Sequence, residues 1–111
     1  MKRTVPLKKS ADFKKIYAKG SSAASKHVIF FWLKNSYDVN RVGFIASKKV
    51  GKSVVRNRAR RLMREAFRAY EEQIEPGYDF ILIARQTIKE ATYHDVKKSI
   101  VYLLKKSKLI K

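Results

Sequence analysis

In this chain of 111 residues, 27 Lys and Arg stand against 9 Asp and Glu, a formal charge of +18; its self-repulsion opposes a compact state unless a polyanion relieves it. A hydrophobic content of 45% is enough for one core, so the length predicts a single domain over 1–111. With no cysteine, a disulfide framework, a zinc ribbon and a thiol nucleophile are excluded; with no apolar run near about 20 residues and no signal-type h-region, neither a membrane span nor secretion is expected, and the setting predicted is a reducing cytoplasm.

Residues 1–9 are basic, contain Pro6 and lack periodicity, so they read as a mobile arm. Ser10 as N-cap, Phe13, Ile16 and Tyr17 on one face and Gly20 as a left-handed C-cap predict a short helix over 10–19. The Ser- and Ala-rich stretch 20–26 admits only a minimal edge strand. Residues 27–34 include Val28-Ile29-Phe30-Phe31-Trp32-Leu33, apolar on both alternating faces, which predicts an interior strand. Turn residues at 35–40 lead to a strand at 41–47, and the two strands are expected to form an antiparallel hairpin.

Gly51, Lys52 and Ser53 then open a helix that runs to about residue 73 and is stopped by Pro76-Gly77. The continuous apolar run 80–84 predicts a strand buried between layers. After 87–91, Thr92 caps a last helix with Val96, Ile100, Leu103 and Leu104 inward and Lys97, Lys98 and Lys105 outward. The order is helix, short strand, hairpin, helix, strand, helix. That is an α+β sandwich on one mixed sheet, without internal repeat or linker.

Motifs for independent catalysis fail on inspection. Gly51-Lys52-Ser53 resembles the end of a phosphate-binding loop, but the pattern needs glycine where Ala46 stands. His27 and His94 have no second ligand at helical metal spacing. His94 and Asp95, as helix neighbours, point about 100° apart. Glu71, Glu72 and Glu75 read as a solvated helix end. No catalytic residue and no metal site is assigned to this chain.

The chemistry lies in 48–68, where Lys48, Lys49, Lys52, Arg56, Arg58, Arg60, Arg61, Arg64 and Arg68 meet a single acid, Glu65. On a helix, Val55, Ala59, Leu62, Met63, Ala66 and Tyr70 share one face, and Asn57, Arg61, Arg64 and Arg68 share the opposite one, with Arg60 beside them. Helices kept soluble by charge mix signs, because like charges at i and i+4 repel by about 0.2 to 0.5 kcal/mol per pair. An almost pure arginine stripe therefore implies a polyanion, and the forked guanidinium suits phosphate oxygens and base stacking. Phe13, Tyr17 and Phe31 admit two readings, core packing or a shallow cleft on which unpaired bases lie.

The run from Ser47 through Arg58, with Arg60, Arg61 and Arg64, closely resembles the RNR motif of the bacterial ribonuclease P protein family, and the similarity extends over nearly the whole chain. The resemblance implies a left-handed β-α-β crossover. It implies a subunit that assists a large catalytic RNA in removing the 5′ leader of precursor tRNA, with magnesium held mainly by the RNA and the active site in the RNA. Lys48, Lys49, Lys52, Arg56, Asn57, Arg58, Arg60, Arg61, Arg64 and Arg68 would bind the RNA subunit. Phe13, Tyr17 and Phe31 would line the leader cleft, with Arg60 and Arg64 able to serve either surface. The implied partners are ribonuclease P RNA and precursor tRNA, one protein per catalytic RNA, and no membrane. Two rivals share the basic surface: a ribosomal protein with its aromatics in the core, and a DNA-binding domain, disfavoured because Asn57 is the one amide on the stripe.

Overall fold

The computed structural model describes residues 4–110. Its centre is β5 (Tyr78–Ala84), whose Phe80, Ile81 and Leu82 are fully buried, so the strand is covered on both faces. On one edge β5 pairs antiparallel with β3 (Val28–Lys34), and on the other parallel with β4 (Asn40–Ile45). β2 (Ser21–Ala24) lies outside β3, and β1 (Thr4–Pro6) lies outside β4, giving the order β1-β4-β5-β3-β2. The helices are α1 (Ser10–Lys19), α2 (Ser53–Arg68) and α3 (Tyr93–Lys106), with 3-10 turns at Glu71–Gln73 and Gln86–Glu90. The α+β class and the single mixed sheet agree with the sequence, and α2 makes the crossover between the parallel neighbours β4 and β5.

The hairpin expected between 27–34 and 41–47 does not form, because β5 inserts between those strands. Residues 35–39 instead arch over the start of β5. The Asn35 N–H donates to the Gly77 carbonyl at 2.7 Å, and Tyr78 N–H donates to Asn40 Oδ1 at 2.8 Å. A strand apolar on both faces needs neighbours on both edges to pair its backbone. The true hairpin partner of β3 is the minimal strand β2, with Ser21 opposite Trp32.

Part of the expected mobile arm is also ordered. Thr4–Pro6 runs parallel to β4 with Thr4 opposite Asn40, and Leu7 is buried with its N–H on the Val42 carbonyl at 2.9 Å. A three-residue strand is too short to show a period; residues 1–3 of that arm lie outside the described residues. Two cap assignments change as well. Ser10 is the first helical residue, and the N-cap is Lys9, without a side-chain cap bond. Gly20 is extended rather than left-handed, at φ −76°. Its glycine is required by close approach, since a Cβ there would fall 2.6 Å from the Ile16 carbonyl oxygen. Helix α2 stops at Arg68, short of residue 73. By contrast Thr92 caps α3 through a reciprocal box with Asp95, whose carboxyl is held below its usual range by the Thr92 backbone N–H.

Two unequal cores result. On one face Phe30, Phe80 and Leu82 pack under α2 and α3, where Phe67 sits 5.6 Å from the Phe80 ring and 6.1 Å from Phe44. The other face is covered by α1 through Ile16, with Leu7 and Ile81, while Phe13, Phe31, Leu33, Ile45 and Ile83 remain half-buried. Phe67 joins α2 to the sheet, so Phe67→Ala is expected to cost about 3 to 5 kcal/mol, measured by urea denaturation of the isolated protein.

Candidate nucleic-acid interface

Helix α2 is held by Ala59, Leu62, Met63, Ala66 and Phe67, all buried, and this leaves its charged side fixed and outward. Phe67, which the helical-face reading passed over, is part of that anchor. Before the helix, Val50 is buried while Lys48 and Lys49 are exposed, so one apolar plug sets the turn and both lysines face solvent. Gly51 has φ 153°, a conformation L side chains rarely adopt, and a Cβ there would come within 3.0 Å of Val55. Lys52 follows as the exposed N-cap.

The arginines of α2 divide into three directions. Asn57, Arg61 and Arg68 are exposed on the outer side. Arg56, Arg60 and Arg64 flank them, each half-buried and oriented locally: Arg56 Nη2 donates to Ser53 Oγ at 3.2 Å, and Arg60 Nη2 donates to Asn57 Oδ1 at 2.6 Å. Arg64 lies over the Phe44 ring at 5.6 Å. Arg58 turns the other way and donates through Nη2 to the Ala91 carbonyl at 2.8 Å, tying α2 to the segment before α3. Among the described residues the ion pairs are those of Arg41 with Asp12 and Asp79, so no carboxylate there neutralises the stripe.

The three aromatics come together on the sheet face that α1 half covers. Tyr17 meets Phe31 edge-on at 5.0 Å and 89°, yet Tyr17 stays 43% exposed, more than a core residue would be. Partial burial pushes its phenol above the ordinary value. Phe13 packs against β4, where a Cβ at Gly43 would be 2.7 Å from its ring. Half-buried Ile45 and Ile83 lie on the same sheet face. So does half-buried Ile29, by strand alternation with Phe31. The sequence does not assign these isoleucines to the aromatic face, although strand alternation carries that signal. Ile29 also lines a concavity of about 380 Å³ with Ser47, Lys49, Arg85 and Thr87, which brings the apolar face to the cationic turn before α2.

The Ribonuclease P family model matches residues 1–108. A curated relative, the ribonuclease P protein component of Alkaliphilus oremlandii, is 47% identical over 110 residues, covering 99% of this chain and 96% of the relative. That of Clostridioides difficile is 50% identical over 106 residues, covering 95% and 93%. Among solved structures, the Staphylococcus aureus RNase P protein superposes with a TM-score of 0.87 at 36% identity, covering 96% of this chain and 97% of that one. The Thermotoga maritima RNase P protein gives 0.82 at 30% identity, covering 91% and 96%.

The directions of the arginines separate two duties. Arg58→Ala should lower folding stability by about 1 to 2 kcal/mol, because it removes a charge-assisted hydrogen bond. Arg61→Ala should leave stability within about 0.5 kcal/mol. Thermal and urea unfolding of the two variants without RNA would check this.

Proposed function

We propose that this chain, which belongs to the ribonuclease P protein family, divides its work between two surfaces: α2 grips the RNA subunit, and the aromatic cleft grips the 5′ leader of precursor tRNA. As a ribonuclease P protein component, it acts with an RNA partner in tRNA 5′ processing. The finer reading rests on one observation. Exposed Tyr17 meets half-buried Phe31 on a half-covered apolar face, whereas the arginines stand on a helix whose own apolar face is fully used.

In this reading Lys48, Lys49, Lys52, Arg56, Asn57, Arg61, Arg64 and Arg68 meet phosphates of the RNA subunit; Arg60 shares that role while bonded within its own turn, and Arg58 shares it while tying α2 to the segment before α3. Each phosphate contact releases counterions, so attachment is tight and salt-sensitive. Phe13, Tyr17 and Phe31 offer ring faces to unpaired leader bases. Stacking of about 1 to 3 kcal/mol per base tolerates any sequence, as an enzyme serving many precursors requires. Arg60 and Arg64 can reach phosphates of either RNA. The hydrolytic step we assign to the RNA subunit, whose magnesium ions this chain helps bind by screening repulsion between leader and RNA. One protein per catalytic RNA, in the cytoplasm, completes the proposal.

Cleavage of a precursor tRNA by a bacterial ribonuclease P RNA at low magnesium, with and without this protein, tests the division. The protein should lower the magnesium requirement, and more so for a long leader than for a leader of one nucleotide. Rescue independent of leader length would discard the cleft. In the same complex, Arg61→Ala should reduce the slope of log affinity for the RNA subunit against log salt by about one. Phe31→Ala should instead reduce affinity for precursor relative to mature tRNA; equal loss for both substrates would assign Phe31 to the core.

A further inference from the structure

The geometry points to Asp12, Arg41 and Gly43 as positioning residues that set how α1 sits on the sheet, and with it the spacing of the leader cleft. The inference rests on the leader reading above and adds residues that touch no RNA in it.

Helix α1 is poorly secured by its own means. It has ten residues, one fully buried side chain, Ile16, and no side-chain cap bond at its start. A helix of that length is marginal in water without tertiary support. It also carries Lys14, Lys15 and Lys19, which a nearby polyanion would pull outward. What opposes this is the inner face of β4, where alternate residues Arg41, Gly43 and Ile45 point towards the half-covered side.

Arg41 is a rigid bracket. Nε donates to Asp79 Oδ1 at 2.8 Å and Nη2 to Asp79 Oδ2 at 2.6 Å, a bidentate fork. Asp79 is buried and accepts in addition from Asn35 Nδ2 at 2.9 Å. The Tyr37 ring lies 4.8 Å from the Arg41 guanidinium carbon. The fork leaves Nη1 to reach α1, where it donates to Asp12 Oδ2 at 3.2 Å. Asp12 is the one acid on α1. One residue on, Phe13 lies against the backbone of Gly43, at a depth that any Cβ would forbid.

Asp12 and Phe13 therefore fix the first turn of α1, and Tyr17 stands one turn further, about 6 Å along the axis. Tilting the first turn shifts Tyr17 against Phe31 and changes how much of the two rings stays open beside their edge-on contact. The ion pair acts on leader capture through the helix, and the glycine acts through the ring of Phe13.

The test uses the complex with the RNA subunit and measures affinity for precursor and mature tRNA over a series of leader lengths. Asp12→Asn should lower the preference for precursor about twofold to fivefold, in keeping with a partly exposed ion pair. Asp12→Glu should restore part of it. Gly43→Ala, which lifts Phe13 without touching charge, should lower the same preference, and RNA-subunit binding should stay at its wild-type value in all three. Wild-type preference in Asp12→Asn and Gly43→Ala, alongside loss in Phe31→Ala, would overturn the positioning role and leave the cleft standing. Wild-type preference in all of them, Phe31→Ala included, would mean that the cleft reading itself had failed. Equal loss for precursor and mature tRNA would also overturn the positioning role, since a general weakening of the fold accounts for it.

Discussion

Strand β5 must be covered on both faces, because Phe80 and Leu82 point one way and Ile81 and Ile83 the other. Three helices are available for the two faces, and they cannot share them evenly. The face under Phe80 takes two helices and the larger aromatic cluster. The face under Ile81 takes α1 alone, which is too short to roof a sheet of five strands. The open remainder is apolar and lined by rings and isoleucines. An uncovered patch of this kind ordinarily invites association, and here it borders a cationic turn. The half-covered aromatic face is thus a by-product of how one central strand is buried.

Charge makes the second demand. Arg56, Arg60, Arg64 and Arg68 follow one another at four-residue spacing, three like-charge contacts that oppose the helix by on the order of 1 kcal/mol together. No carboxylate among the described residues forms an ion pair with them. The helix persists because Leu62, Met63, Ala66 and Phe67 are buried on its other side. Its guanidinium groups are oriented by neutral partners instead: Ser53, Asn57 and the Phe44 ring. Such contacts hold direction without cancelling charge, so the groups are pre-placed while their attraction for phosphate is undiminished.

The sequence made the helices and the arginine stripe legible, since both depend on patterns within one segment: the 3.6-residue spacing of Ala59, Leu62, Met63 and Ala66, and the Thr92 cap. It misplaced the partner of β3, because strand pairing is decided between segments, and the demand of β5 for two neighbours outweighed the short loop at 35–40. β1 was invisible at three residues. Gly20 and Gly43 could be seen as glycines but not as seats for a carbonyl and a ring, which depend on what approaches from elsewhere in the chain. The half-covered aromatic face stands half-way. Alternation placed Phe31 on a face, but whether that face was roofed depended on the length of α1 against the width of the sheet.

A surface that grips phosphate and stacks bases cannot select a substrate by sequence. In the proposed reading, selection must come from geometry. α2 and the aromatic face are joined through β4 and β5; on that proposal, attachment by the first would turn leader binding into an intramolecular event whose strength depends on the spacing between them. That spacing is set at two places, by Phe67 between α2 and the sheet and by Arg41 between α1 and the sheet. Arg41 is the only arginine with ion-pair partners among the described residues. The carboxylates at Asp12 and Asp79 thus stand where charge can fix the shape of the protein, and away from the stripe, where they would compete with RNA.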